Sequence, residues 1–368
     1  MSPTDAYRCW VEIDTAALRH NAQVARARVA PGVALMAVIK ANAYGHGLSA
    51  VAKALSNDAE IFGVANLREA LEARSVVPHP VLILGPALPE ERVAIVEHRF
   101  IASISSAGEA KEFSRAANGR TALVNCAIDT GMGRMGISEG EAVDELKRIA
   151  ATPNVEIHSI STHLPSSDEE LEFTREQLKR FTKLVGAIRG EVPGNYKVHA
   201  LPSGGVLGFC ESCFDFVRAG LMLYGVSPAP EFQKGLQPPL TWKSHIVLMR
   251  ELPPGSSVSY GRTWFAPRLT RVATLSVGYA DGYPRSLSGR GAAVLARGRR
   301  CPVIGRVTMD LTMIDVTDAG PLSIGDEVVL LGRDGDEEVS ARELADRAGT
   351  IAWEVFTGIG SRVARVYV

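Results

Sequence analysis

The feature that most constrains this chain is a repeated alternation through its first two-thirds. Eight short apolar runs occur there: VALMAVI (33–39), IFGVA (61–65), VLILG (81–85), FIASIS (100–105), TALVNCAI (121–128), EIHSIST (156–162), YKVHAL (196–201) and FDFVRAG (214–220). Between them lie stretches with helical spacing, among them TAALRHNAQVARARV, NLREALEAR, EAVDELKRIA and EELEFTREQLKRFTKLVGAIR. A strand that is apolar on both faces has to be covered on both, as helices returning between parallel strands do. Eight such units predict a closed (β/α)8 TIM-like barrel, although periodicity alone also allows an open doubly wound sheet.

After about residue 235 the texture changes to short strands and Gly/Pro turns. RVATLSVGYADG, CPVIGRVTMDLTMIDV and DEVVLLG read as strands of an all-β domain. One short helix, SARELADRAG, opens with a Ser-x-x-Glu capping box. The expected class is therefore α/β, with a barrel over residues 12–235 and a C-terminal β domain over 236–368. Residues 1–11, through the run RCWVEID, are expected to pair with that second domain.

Composition narrows the function classes. The 368 residues carry a net charge of -1 with no long run of one sign, which gives nucleic acid or an anionic membrane surface nothing to grip. No apolar stretch approaches the roughly 20 residues needed to cross a bilayer. MSPTDAYRCWVEIDTAALRH lacks the basic and apolar segments of a signal peptide. Five cysteines, an odd number in a long chain, argue against a disulfide framework, so a cytoplasmic protein is expected. Cys210 and Cys213 form a C-x-x-C with no second pair for zinc and no helix opening after it for redox work, and no metal is expected. DTGMGRMG contains a literal G-x-G-x-x-G at Gly131, Gly133 and Gly136. It follows the fifth apolar run, whereas dinucleotide binding wants it after the first.

In a closed barrel the C-terminal strand ends converge on one mouth, where chemistry resides. Lys40 and Tyr44 follow the first run, Arg134 the fifth and His163 the sixth. Ser203, Gly204 and Gly205 follow the seventh, and Arg218 and Gly220 close the eighth. Taken alone, His163 reads equally well as a satisfied core histidine, and Ser203 as a helix N-cap. Together the set suits a phosphate held by backbone amides and a carboxylate or ring nitrogen held by arginine. A lysine crowded by arginines and partly desolvated has its pKa lowered from about 10.4, which makes it a better amine nucleophile. A Schiff-base lysine holding pyridoxal 5'-phosphate fits all of these features.

AVIKANAYGHG, DTGMGRMG, VRAGLMLYG, VSYGRTW, GYADGYPR and VIGRVTMD, in that order, resemble the alanine racemase family over nearly the whole chain. The resemblance implies a pyridoxal-phosphate-dependent isomerase that interconverts L- and D-alanine, feeding D-alanine to peptidoglycan synthesis. It implies a homodimer with composite sites and a barrel followed by a β domain. Lys40 would hold the cofactor; Tyr44, Ser203, Gly220 and the amide of Leu221 would bind its phosphate. Arg218 would meet the pyridine nitrogen, with His163 behind Arg218 and Tyr260. Arg134 and Met309 would place the substrate. Tyr260 would be the second catalytic base, with Tyr279, Asp310 and Trp353 in support. Racemisation needs bases on both faces of the α-carbon, and Lys40 and a tyrosine phenolate can serve one each.

Three departures lie near the expected substrate position. Ala127 stands where many members carry a carbamylated lysine that braces the arginine. His163-Leu164-Pro165 replaces His-Phe-Ala, and Trp353 replaces a tyrosine. Thr308 also stands where many members have cysteine. A racemase accepting larger or polar amino acids is the alternative these changes raise. A pyridoxal-phosphate lyase or decarboxylase is disfavoured by Arg218 and Tyr260, and a non-catalytic cofactor carrier by the β domain.

Overall fold

The computed structural model describes residues 6–368, so the first five residues of the segment expected to pair with the β domain lie outside the described residues. The chain divides into two compact units. One holds Leu18–Ala43 and Leu48–Gln237; the other holds the described residues up to Ala17, Tyr44–Gly47 and Pro238–Val368.

The first strand, β1 (Cys9–Ile13), belongs to the second unit. The barrel strands are β2 (Ala34–Val38), β3 (Ile61–Val64), β4 (Val81–Ile83), β5 (Ile101–Ile104) and β6 (Ala122–Asp129). A two-residue side strand, β7 (Ile137–Ser138), precedes β8 (Val155–Ser161), β9 (Lys197–His199) and β10 (Phe216–Ala219). Each of the eight apolar runs corresponds to one barrel strand, β6 and β8 reaching one residue beyond theirs. Every hydrogen-bonded neighbour is parallel, in the order β10-β2-β3-β4-β5-β6-β8-β9, with β7 beside β6. The remaining gap, between β9 and β10, is bridged by the Asp215 amide to Val198 O and the Arg218 amide to Leu201 O, each 2.9 Å. A strand order that follows the chain, with the last strand returning beside the first, is a barrel. An open doubly wound sheet would reverse direction partway.

The helices between strands bury one stripe each. In Leu171–Glu191 the inward residues are Thr174, Gln177, Leu178, Phe181, Val185 and Ile188, the i, i+3, i+4 spacing of an amphipathic helix. Asn66 caps the helix Leu67–Val76 by accepting the Glu69 amide.

The second unit is mostly β: β11 (Leu240–Leu252), β12 (Ser257–Val258), β13 (Trp264–Phe265), β14 (Thr270–Leu275), β15 (Ala293–Ala296), β16 (Arg299–Ile304), β17 (Thr312–Asp315), β18 (Glu327–Asp334), β19 (Glu337–Val339) and β20 (Ala364–Tyr367). Six of these pair around an antiparallel ring, β11-β14-β17-β16-β15-β18 and back to β11, which leaves those strands no open edge. β1 pairs antiparallel with β11 and parallel with β20. Trp242 and Tyr283, both fully buried, meet edge to face at 5.8 Å in the core. Ser340 caps the helix Ala341–Ala348 through the Glu343 amide. A second helix, Ala352–Thr357, was not legible in the sequence, because six residues are too few to show a period. Gly45 takes φ +79°, and a Cβ there would sit 2.2 Å from Phe356 O, so only glycine fits.

Candidate active site

β2 delivers Lys40 two residues past its end, and the chain then enters an uncommon conformation. Ala41, Asn42, Ala43 and Tyr44 all have φ of 52–53°, a turn of left-handed helix built without glycine. Each such residue costs about 1–2 kcal/mol, so the turn must be held from outside. The Glu69 carboxylate does this: Oε1 accepts the Ala41 amide at 2.7 Å and Oε2 the Ala65 amide at 2.8 Å. Asn42 Oδ1 adds a bond from the Leu48 amide at 2.8 Å. Burial lowers the Lys40 pKa, and Arg134 and Arg218 lower it further, against an opposing pull from Glu69. Tyr44 ends the turn buried, and burial pushes its phenol up to about 12.

Arg218, in β10, is buried and held from four directions. Nη1 lies 2.6 Å from His199 Nδ1. Nη2 donates to Thr162 O and Ala200 O, each 2.9 Å, and lies 3.1 Å from His163 Nδ1. None of these contacts uses Nε. Burial and Arg134 bring its pKa down to about 10, which still leaves it charged at neutral pH. Burial, then Arg218, Arg134 and Lys40, hold His163 at about 3, so it is neutral. His199 is neutral for the same main reason, held well below the ordinary histidine range by burial and Arg218. No motif announced His199; the available signal was a histidine inside the seventh apolar run, on the strand beside Arg218.

Ser203 is the first residue of the helix Ser203–Gly208, whose N-cap is Pro202, so the capping role weighed for it does not hold. A proline cannot cap with its side chain, and the first-turn amides have no intrahelical partner. Ser203 Oγ instead accepts the Gly220 amide at 2.9 Å and the Met222 amide at 3.3 Å, with Leu221 between them. Ser203 and the Gly220–Met222 segment thus stand together past the ends of β9 and β10, with the Gly220 and Met222 amides directed at the Ser203 hydroxyl oxygen.

Arg134 is exposed on the loop between β6 and β7, and among the described residues it makes no ion pair. The glycine amides before it are already occupied. Asp129 Oδ1 accepts from Gly131, Met132 and Gly133 at 2.9–3.1 Å, so an internal carboxylate fills the nest that a phosphate would need. Thr130 Oγ1 bonds Thr162 Oγ1 at 2.6 Å and accepts from Gln177 Nε2 at 2.7 Å, and the same Nε2 donates to His163 O at 3.0 Å.

The other expected residues lie in the second unit. The Tyr279 and Ala280 amides donate to Thr308 O and Met309 O, each at 3.0 Å, which brings Tyr279 against the Met309-Asp310 turn. Arg362 ties Asp310 at 2.8 Å to Asp281 at 3.2 Å. Tyr260 opens a short turn, Tyr260–Arg262, and is 70% exposed; Met309 is 54% exposed. Trp353 is half-buried in the helix Ala352–Thr357. Among the described residues no cluster of three or more His, Cys, Asp or Glu could hold a metal ion, and no helix is long and apolar enough to cross a membrane.

Two family descriptions match in tandem: alanine racemase, N-terminal domain, over residues 13–228, and alanine racemase, C-terminal domain, over residues 239–367. The chain belongs to the alanine racemase family. Relatives named alanine racemase include one from Methylacidiphilum infernorum, 42% identical with 98% of this chain and 92% of the relative covered. Another, from Symbiobacterium thermophilum, is 40% identical over 97% and 96%. Among solved structures, alanine racemase from Clostridium difficile superposes with a TM-score of 0.93 at 30% identity, covering 99% of this chain and 96% of that one. That from the D-cycloserine producer Streptomyces lavendulae gives 0.90 at 36%, covering 98% and 97%. The alanine racemase fold thus extends over both units of this chain.

Proposed function

We propose that the protein is an alanine racemase that uses pyridoxal 5'-phosphate. The observation that carries this reading is Lys40 in the same barrel mouth as Arg218, its amine made more nucleophilic by burial and by two guanidinium groups. The donor set fits the cofactor. Lys40 would hold its aldehyde carbon. Ser203, Gly220, Leu221 and Tyr44 would hold its phosphate, and Arg218 would offer the ring nitrogen the Nε that its protein contacts leave unused. When bound, the cofactor supplies an electron-withdrawing ring that loosens the α-hydrogen of the attached amino acid.

The chain's own residues do the rest. Arg218, fixed by two neutral histidines and two carbonyls, cannot deliver a proton to the ring nitrogen as a carboxylic acid could, which restrains charge withdrawal and favours simple proton exchange. Arg134 would take the substrate carboxylate. Lys40 would move the proton on one face and Tyr260 of the partner subunit on the other, with Met309, Tyr279 and Asp310 of the partner subunit and Trp353 around the substrate. This requires a homodimer with composite sites. In the cell such an enzyme would work in the cytoplasm and supply D-alanine for peptidoglycan.

A broader amino-acid racemase is the second reading. It is favoured by Arg134, which has no carboxylate brace among the described residues, with Ala127 at the brace position. Chiral analysis of the product from L-alanine with added cofactor tests the first reading, and the same assay with L-serine, L-lysine and L-arginine tests the second. No D-alanine from cofactor-loaded dimer would overturn the proposal.

A further inference from the structure

β-Barrel interiors of this kind are packed mainly with branched apolar side chains, yet here β5, β6, β8 and β9 bury a polar cluster. Its centre is Asn125 in β6, 2% exposed. Asn125 Nδ2 donates to Ser103 Oγ at 3.2 Å and Ser161 Oγ at 3.0 Å. Asn125 Oδ1 accepts from Ser159 Oγ at 2.9 Å and lies 3.0 Å from His199 Nε2. The β6–β8 register slips between Val124, opposite Ile157, and Asn125, opposite Ser159. A slip of this kind re-aims side chains locally. Burying five polar side chains is costly unless each finds partners, and here each does.

The direction of every bond in the relay follows from one end. A guanidinium only donates, so with Arg218 Nη1 at 2.6 Å the His199 Nδ1 must carry a lone pair. Neutral His199 then bears its proton on Nε2, and that N–H needs an acceptor. Asn125 Oδ1 is the acceptor. Rotating the amide by 180° would set Nδ2 against Nε2–H, two donors facing each other, so the orientation is dictated by chemistry. Phe216, stacked on the imidazole at 4.1 Å, holds the ring plane.

We propose that Asn125 is a positioning residue for Arg218: by accepting the Nε2 proton it supports the one neutral tautomer of His199 that can accept from Arg218, so that the Nδ1 lone pair sets the tilt of the guanidinium and the donor it turns to the barrel mouth. This deepens the proposed function, because it assigns the inner end of the network that orients Arg218.

The test separates the inference from that reading. In protein labelled with 15N-histidine and carrying no cofactor, the ring-nitrogen shifts of His199, assigned by loss of its signals in His199→Gln, report the tautomer directly. Wild type should show His199 neutral with the proton on Nε2. Asn125→Asp keeps the shape but puts a carboxylate against Nε2, which stabilises an imidazolium that can no longer accept from Arg218. His199 should then be doubly protonated at neutral pH. In the cofactor-loaded dimer, kcat should fall about 10–100-fold, the usual loss for a supporting hydrogen bond, with KM changed far less. A wild-type His199 protonated on Nδ1, or an Asn125→Asp protein with wild-type kcat, overturns the inference. Should Asn125→Asp fail to fold, Asn125→Leu, which leaves Nε2–H without an acceptor, should show the same loss of kcat, and wild-type kcat there would overturn the inference. Should the wild type lack racemase activity, the tautomer still decides this inference while the proposed function falls.

Discussion

Glu69 holds the backbone of Ala41: its Oε1 accepts the Ala41 amide at 2.7 Å while Oε2 accepts the Ala65 amide just past β3. One carboxylate thus ties the end of the first barrel strand to the end of the second and supports a left-handed turn that begins immediately after Lys40. Glu69→Gln would place an amide NH2 against one of those N–H groups. The Ala41 bond is exposed and the Ala65 bond only part-buried, so the expected loss is about 0.5–1.5 kcal/mol of unfolding free energy, the net worth of a hydrogen bond that water can replace. Glu69 also raises the Lys40 pKa, so its neutralisation should move the pH midpoint of Lys40 modification by pyridoxal phosphate and borohydride toward acid. An unchanged midpoint with unchanged stability would mean the clamp does nothing.

Lys40→Ala should abolish covalent retention of the cofactor after borohydride reduction. Peptide mapping of reduced wild type should find the label on Lys40 alone. Label on any other lysine would show that the barrel-mouth assignment is mistaken.

Tyr260→Phe should leave the cofactor attached and leave Lys40 able to exchange the proton on its own face. The variant should exchange the α-hydrogen of one enantiomer with deuterated water while interconversion of the two falls about 10²–10⁴-fold. Racemisation at the wild-type rate would instead favour a single-base mechanism at Lys40.

A composite site should complement. Mixing inactive Lys40→Ala with inactive Tyr260→Phe protomers, under conditions where subunits exchange, should restore activity through hybrid dimers that hold one intact site. Exchange demonstrated by mass, with no recovery, would place both residues in a site made by one chain.

His163 is held at about 3 in the fold against 6.5 in an ordinary environment. The unfolded chain therefore binds a proton below about pH 6.5 that the folded chain refuses. The contribution is fully present above pH 6.5 and is lost progressively as pH falls toward 3. Urea midpoints measured without cofactor from pH 7.5 to 4.5 should decline in wild type and decline less steeply in His163→Gln. Parallel declines in the two proteins would show that His163 is not held neutral.

The eight barrel strands were legible because burial on both faces is a property of composition over five or six residues, and a strand such as VALMAVI carries it locally. The capping box at Ser340 and the strand-end positions of Lys40, Arg218 and Ser203 were legible for the same local reason. The left-handed turn after Lys40 was not, because Ala41, Ala43 and Tyr44 have no intrinsic preference for it; Glu69 anchors its first amide from 28 residues away. The glycines of DTGMGRMG resemble a phosphate nest in sequence, and only the folded position of Asp129 shows that nest already filled.

By itself, then, the sequence determined which segments become the barrel strands, and which charged residues stand at strand ends, since both follow from hydrophobic period and chain order. The tertiary structure alone decided that His199 Nδ1 faces Arg218, that Asn125 Oδ1 stands 3.0 Å from His199 Nε2, and that Tyr279 lies against the Met309 turn. The direction of a hydrogen bond depends on a partner brought in from another strand, and no local pattern specifies that partner.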